Sequence, residues 1–453
     1  MSWIQDAVFY HVYPLGFCGA PFHNDATEPI CRLDKLQAWI PHLKSLGINA
    51  VYLGPVFQSS THGYDTKDYR QVDWRLGDND SFRALCDALH ENGIRVVLDG
   101  VFNHVGREFW AFKDVQQNGP SSPYCSWFQN LNFGGGSPMG DPFWYESWQG
   151  HYELVKLNLR NPQVVEHLLG AVNLWMDQFH IDGLRLDAAD CIDFDFFRTL
   201  RHTVREKNPD FWLMGEIIHG DYARWANPEM LDSTTNYECW KGLWSCHNDQ
   251  NYFEIAHSLN RQFGPGGIYR NIITYNFADN HDVDRVAGKL KDKEDLRNLY
   301  TILYTMPGVP SVYYGSEWAL DDCRTSTSDV MLRPSLDLEE MEQKDQSLCI
   351  FLKKLSDIRM AFPALRTGGY ENVYIQCKQL VYLRSTPEQK VYVVLNLEDK
   401  EVHVEFRHQE PILQDVLNDN QIFNNDGGRT WLPVPAKSAR ILVGAPDKFT
   451  FSV

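Results

Sequence analysis

Residues 95–104 read RVVLDGVFNH and residues 183–190 read GLRLDAAD, and both are short apolar, β-branched runs that stop abruptly in an acid. Runs of that length and composition, punctuated by glycine, are buried strands rather than helices. Ahead of each lies a longer segment, DSFRALCDALHENG from Asp80 and NPQVVEHLLGAVNLWMDQF from Asn161, with apolar residues at three- and four-residue spacing and stop or start signals at its ends. Those are amphipathic helices. Working outward, the alternation repeats. Further strands are expected at VFYHVYP from Val8, NAVYLGP from Asn49, FWLMGEI from Phe211, a weak LDSTTNY from Leu231, IITYNFAD from Ile272 and PSVYYGS from Pro310. Helical patterns begin at Leu33, Asp195, Phe253, Leu296 and Ser347. Eight strands alternating with helices predict an α/β chain with a parallel sheet, a (β/α)8 TIM barrel.

Two stretches depart from that rhythm. More than fifty residues rich in Gly, Ser, Pro, Trp and Phe separate the third strand from the helix at Asn161, and loops that long inside a domain are usually functional. They are read as a lid subdomain, residues 104–157, inserted on the face of the barrel where active sites form. From residue 367 the pattern becomes hairpins, QLVYLRS and QKVYVVLNLED around TPE, then EVHVEF and SARILVG. The expected organisation is therefore a barrel over 1–103 and 158–366, the lid over 104–157, and a C-terminal all-β sandwich over 367–453.

Composition narrows the function. With 42 Lys and Arg against 60 Asp and Glu, the net charge is −18, which argues against nucleic acid or an anionic membrane as partner and favours a neutral ligand. No leader-like start and no stretch of about eighteen apolar residues is present, so a soluble, cytoplasmic protein is expected. The ten cysteines have neither C-x-x-C spacing nor a regular framework, which fits free thiols in a reducing compartment and speaks against zinc. The 14 Trp and 21 Tyr suit sugar-stacking platforms as well as they suit an aromatic core.

Catalytic groups of a parallel barrel project from strand ends, and four strand ends here carry acids or amides. They are Asp99, Asn103 and His104 in DGVFNHVG; Arg185 and Asp187, two apart and so on one face, in GLRLDAAD; Glu216 in MGEIIH; and His281 and Asp282 in FADNHDVDR. Any one of these acids could be a barrel-end charge satisfied by Arg or backbone amides. Four together, flanked by Leu184, Leu186 and Ile217, imply desolvated carboxylates whose protonation states are put to use.

DGVFNHV, GLRLDAAD, GEII and FADNHD, in that order and joined by GYDTKDY at 63–69, resemble the short regions shared by the α-amylase family of glycoside hydrolases (family 13), over nearly the whole chain. The resemblance implies Asp187 as nucleophile, Glu216 as general acid and base, and Asp282 as the carboxylate that binds ring hydroxyls and stabilises the transition state. It implies His104 and His281 as hydrogen-bonding groups for sugar hydroxyls, Tyr64 as a stacking platform and Asp65 as support at the innermost subsite. Asp99 and Asn103 are expected to shape the strand end and lid. Retention fits these residue types: one ionised carboxylate attacks while a protonated one serves the leaving oxygen. Arg185 is expected to keep Asp187 ionised by pairing, and burial to raise the pKa of Glu216.

Where many starch-degrading members carry Lys-His after the nucleophile, used for the reducing side of the substrate and, through the His, for a structural calcium, this chain has Asp190 and Cys191. No cofactor is required and no metal ligand is assigned; calcium is left open but disfavoured. ELVKLNLRNP resembles cyclomaltodextrinases, neopullulanases and maltogenic amylases, which imply short maltodextrins or cyclodextrins as substrate, with transglycosylation open. Those relatives commonly carry an N-terminal β-domain that completes a dimer's pocket, whereas the first strand here begins near residue 8, so dimerisation through such a domain is not expected. The oligomeric state is otherwise unspecified. Two readings compete: a glucosyl-transferring relative acting on sucrose, trehalose or α-1,6 links, and a catalytically silent sugar-binding scaffold.

Overall fold

Eight short strands, all paired in parallel, wrap around a buried centre: β1 (Phe9–Val12), β2 (Ala50–Leu53), β3 (Arg95–Gly100), β4 (Gly183–Leu186), β5 (Trp212–Gly215), β6 (Ser233–Thr234), β7 (Tyr275–Phe277) and β8 (Val309–Tyr313). This computed structural model describes residues 3–445. The order around the sheet is β6-β5-β4-β3-β2-β1-β8-β7, and a parallel bridge from Thr235 to Tyr275 closes the ring. The sequence-predicted TIM barrel with an all-antiparallel C-terminal module is the observed architecture.

Alternate residues of a strand share a face, and the inward rows explain how the barrel is filled. Phe9, Trp212 and Tyr275 pack near its base, with the Phe9 ring 5.4 Å from Trp212 and 5.3 Å from Tyr275. One step toward the C-terminal ends come Tyr52, Met214 and Phe277. Asp99 and Arg185 point inward at the height of Met214, with Asp187 and Glu216 one step beyond, so the two-residue period that buries the aromatic floor also delivers the charged groups to its upper rim. Register fixes their relative heights: Asp99 pairs opposite Arg185, and Arg185 opposite Met214.

The outward rows pack against helices α1 (Asp34–Ala38), α2 (Ile40–Ser45), α3 (Asn79–Glu91), α4 (Pro162–Phe179), α5 (Phe194–Lys207), α6 (Tyr237–Asn248), α7 (Phe253–Phe263), α8 (Leu296–Thr305) and α9 (Ser347–Ala361). Two differ from expectation. The helical pattern from Leu33 is broken at Trp39, just ahead of Pro41, into α1 and α2. Helix α6, YECWKGLWSCHN, carries no clean apolar stripe and was not expected; the Asn236 side chain starts it by accepting from Cys239 N at 3.2 Å.

Between β3 and α4, strands His104–Gly106, Ser147–Trp148 and His151–Lys156 form a small antiparallel sheet beside the helix Trp110–Asn118. Ion pairs tie it together, Arg107 to Asp141 at 2.7 Å and Lys156 to Glu146 at 2.9 Å. It leans on α4 through rings, with His167 5.6 Å from both Trp110 and Trp127. Deeper in α4, Trp175 stacks on Phe57 at 4.2 Å and donates to Tyr69 O at 2.8 Å. The C-terminal module has a six-stranded sheet facing a two-stranded one, Val402–Arg407 with Arg429–Val434, across a core of Val394, Val404, Phe406, Leu432 and Leu442. Residues 446–453 of the span expected for it lie outside the described residues.

At Gly106 the first strand of the insertion after β3 runs close against the backbone of Asp65. A Cβ there would lie 2.5 Å from the backbone oxygen of Asp65, which neither side can avoid by rotating a side chain. Gly106→Ala should force the lid strand off the 62–65 loop, lowering stability by about 1–3 kcal/mol, the usual cost of overpacking. Urea titration of the purified variant measures it, and an unchanged midpoint would show that the contact is loose.

Candidate active site

At the upper rim of the barrel a single guanidinium gathers the acids. Arg185 Nη1 donates to Asp99 Oδ1 at 2.9 Å and to Asp187 Oδ1 at 2.7 Å, while Nη2 meets Glu216 Oε1 at 2.9 Å. Asp187 and Glu216 are thus neighbours on the planar fork, at the ends of adjacent strands β4 and β5. The backbone just past Asp187 completes the arrangement: Ala188 has φ of 44°, a left-handed conformation rare outside glycine, and its N–H donates to Glu216 Oε2 at 3.0 Å. Gly215 makes room for that turn, since a Cβ there would lie 2.9 Å from the Ala189 Cβ.

Electrostatics follow from one cation shared by three acids. Burial pushes Asp187 well above the ordinary carboxylate range, against the pull of Arg185 and with Glu216 adding to the rise. Burial raises Glu216 too, opposed by Arg185 and assisted by Asp282. Asp99 is raised by burial and pulled down by Arg185 and by the Tyr52 and Tyr64 hydroxyls, which donate at 2.8 and 3.0 Å. The expectation that Arg185 alone would keep Asp187 ionised is therefore corrected. A guanidinium divided among three buried carboxylates does not offset their desolvation, and all three are raised above the ordinary carboxylate range.

Asp282 belongs to the same rim but to a different setting. Its carboxylate is 40% exposed, 3.0 Å from Arg333 Nη2 and 3.1 Å from His281 Nε2. Arg333 also donates to the His281 carbonyl at 3.1 Å and lies over the Tyr13 ring. The sequence reading missed Arg333; nothing in MLRPSL marks it except a position beyond the last barrel strand. Tyr64 OH is 2.5 Å from His281 Nε2, and the two rings are parallel at 5.6 Å. Burial, with Arg333 and Arg185 nearby, keeps His281 neutral, and burial holds His104 neutral with a pKa of about 3. His104 Nε2 is 3.9 Å from Asp187 Oδ2. Asp65 sits one layer back, accepting from Thr61 Oγ1 at 2.7 Å. Asn103 Nδ2 and His104 Nδ1 are in contact at 3.1 Å.

All eight residues expected at the site, Asp187, Glu216, Asp282, Tyr64, Asp65, His104, Arg185 and His281, lie on this one face. His104 Nε2, His281 Nδ1 and Asp65 Oδ1 have no protein hydrogen-bond partner. Buried polar atoms are rarely left unpaired, and here the unpaired ones belong to residues at the same end of the barrel as the carboxylates. The calcium implied by the resemblance would lie by position 191. There the Cys191 thiol faces Asp190 Oδ1 at 3.5 Å, and the Lys156 ammonium is close enough to act on it. Among the described residues no group of three His, Cys, Asp or Glu side chains is placed to hold a metal. A thiol beside an ammonium does not fit a hard divalent cation.

Comparison with known proteins identifies the family. Residues 20–362 match the family described as "Alpha amylase, catalytic domain". The chain is 33% identical to a cyclomaltodextrinase of a Bacillus species, over 89% of this chain and 74% of that one. It is 31% identical to an intracellular maltogenic amylase of Bacillus subtilis, over 82% of this chain but only 64% of that one. A solved cyclomaltodextrinase structure superposes with a TM-score of 0.87 at 28% identity, covering 98% of this chain and 78% of the other.

The raised carboxyls make a stability prediction. An acid whose pKa is higher folded than unfolded holds its proton more tightly in the native chain, so stability declines as pH rises from about 4 through the raised value. Asp187→Asn removes one such group. Its melting temperature should exceed that of the parent by about 1–3 °C at pH 7, with the gap closing at pH 4. Scanning calorimetry at fixed rate checks this, and a lower melting temperature at pH 7 would contradict it.

Proposed function

The chain belongs to the alpha-amylase family of glycoside hydrolases, and on that premise we propose that it is a retaining hydrolase of α-1,4-glucosidic bonds in maltooligosaccharides, maltodextrins or cyclodextrins. The observation that carries the reading is the fork of Arg185, which holds two buried carboxylates side by side, both with pKa values raised by burial. A retaining glycosidase requires that pair: one carboxylate to attack, one acid to serve the leaving oxygen.

Asp187 is the nucleophile. Its oxygen attacks the anomeric carbon as the bond to the leaving oxygen breaks, and Glu216 gives that oxygen its proton. The product is a glycosyl ester on Asp187 and a free leaving sugar. Glu216, now ionised, takes a proton from water, whose oxygen attacks the same carbon and returns Asp187 to its carboxylate. A sugar hydroxyl in place of water gives transfer. No step uses a metal.

Positive charge develops at the ring in both steps, and Asp282, held by Arg333, faces it as a counter-charge. His104 and His281, neutral and with spare nitrogens, suit the hydroxyls of an uncharged sugar, while Tyr64 and Asp65 wall the innermost subsite. No described helix is long and apolar enough to cross a membrane. Together with a relative named as intracellular, that supports a cytoplasmic site of action on a soluble, neutral substrate.

Glu216→Gln should lower kcat/KM for maltotriose by about 10²–10⁴-fold while sparing kcat/KM, which reports the first displacement alone, for a glycoside whose leaving group needs no proton, such as a 2,4-dinitrophenyl glucoside. Equal losses on both would remove Glu216 from the acid role. A 5-fluoro-α-glucosyl fluoride should label the wild-type enzyme on the peptide bearing Asp187, as read by mass spectrometry. A label elsewhere would reassign the nucleophile.

A further inference from the structure

Arg333 is the cation that meets Asp282, yet it comes from an irregular part of the rim. Residues 321–331 ahead of it are mostly exposed, Val330 and Met331 included, and a single 3-10 turn, Val330–Leu332, leads into it. A long side chain on such a segment loses much freedom when it pairs, which is why exposed ion pairs contribute little. Arg333 is nonetheless committed. Its Nε donates to the His281 carbonyl at 3.1 Å, its Nη2 donates to Asp282 Oδ1 at 3.0 Å and Asp329 Oδ2 at 3.4 Å, and its guanidinium lies 4.7 Å from the centre of the Tyr13 ring.

The anchor comes from β8. Tyr313 ends that strand and Tyr314 follows it, both buried, with their rings 4.7 Å apart. Their hydroxyls donate to the two carbonyls that flank Arg333, Tyr313 to Leu332 O and Tyr314 to Pro334 O, each at 2.8 Å. Burial pushes both phenols up, so each keeps its proton and remains a donor. Arg285, wholly buried in the segment after β7, braces the pair. It lies 4.3 Å from the centre of the Tyr313 ring, donates to Ser316 Oγ at 3.1 Å and adds a 3.3 Å bond to the Leu332 carbonyl. Gly16, in the short helical turn Pro14–Phe17 after β1, leaves room for the same residue: a Cβ there would collide with the Arg333 carbonyl oxygen and lie 2.9 Å from the Arg333 Cβ. Groups from the ends of β1, β7 and β8 thus converge on the backbone around one arginine.

We infer that Tyr313 and Tyr314 form a clamp that positions Arg333, and through it Asp282, for the reaction, with Gly16 as the notch that admits the arginine. This rests on the reading of Asp282 as the counter-charge of a retaining hydrolase. Both tyrosines are positioning residues, since each spends its hydroxyl on a backbone carbonyl.

A double-mutant cycle on maltotriose hydrolysis tests the clamp, because residues that act through one another are not additive. Tyr313→Phe combined with Tyr314→Phe should lower kcat by about 10–100-fold, the cost of misplacing a group at the reacting centre by about 1 Å. KM should move less than about threefold, because the counter-charge acts in the transition state. In an Arg333→Met background the same two changes should cost less than about twofold. Equal losses in both backgrounds, or a loss confined to KM, would overturn the clamp. Should the paired variant not fold, Tyr314→Phe alone, which leaves the Leu332 carbonyl both its donors, asks the same question. It should cost about three- to tenfold in the parent and nothing in Arg333→Met, and a parent rate left unchanged would overturn the clamp equally. A wild-type enzyme inactive on maltotriose is a separate result, which removes the hydrolase reading and the role of the clamp with it.

Discussion

The guanidinium of Arg185 is the constraint around which the rim is organised. Three carboxylates, Asp99, Asp187 and Glu216, share it at 2.7–2.9 Å, in a place where each would otherwise face a large desolvation penalty. One positive charge is too little for three negative ones. The deficit is met in part by the Tyr52 and Tyr64 hydroxyls on Asp99 and the Ala188 amide on Glu216, and the remainder raises the pKa values of the three acids. That shortage has a chemical use, because an acid that holds its proton at neutral pH beside an ionisable neighbour is what double displacement at a sugar requires. Asp282 escapes it by standing partly in solvent with its own arginine, Arg333.

Such a cluster is tolerable only on a rigid base. Phe9, Trp212 and Tyr275 fill the barrel below it, leaving no slack through which the strand ends could spread and separate the acids from Arg185. The Ala188 backbone, held at φ 44°, is another sign that the surroundings dictate the site: a left-handed alanine persists only when neighbouring contacts over-determine it. The lid contributes in the same way, through the close approach of Gly106 to Asp65.

Much of this was legible in the sequence, and for a physical reason. Strand ends in a parallel barrel are short apolar runs terminated by polar groups, so the pattern that reveals the fold also exposes Asp99, Asp187, Glu216 and Asp282. What the sequence could not show was stoichiometry. Arg185 two residues from Asp187 reads as a private ion pair, and only the closed ring shows it shared with acids on β3 and β5. Arg333 was invisible because it reaches the rim from an irregular segment, where neither period nor flanking apolar residues mark it. Helix α6 went unread because Trp240, Gly242 and Trp244 blur its stripe; its capping by Asn236 and packing on the barrel override weak local pattern.

The two sides of the site also differ in how they are built. The groups proposed to grip the ring undergoing reaction, His104, His281, Asp282 and Tyr64, follow directly from strand ends or pack on residues that do. Asp190 and Cys191, just past β4, belong instead to a short 3-10 turn. Strand-borne groups are fixed by register and change little without disturbing the barrel, whereas turn-borne groups can be exchanged at small cost to the fold. The chemistry at the anomeric carbon is therefore tied to the architecture, and the identity of the departing or accepting partner is not. A chain with Asp190 and Cys191 in place of Lys-His can keep the reaction while changing what it receives.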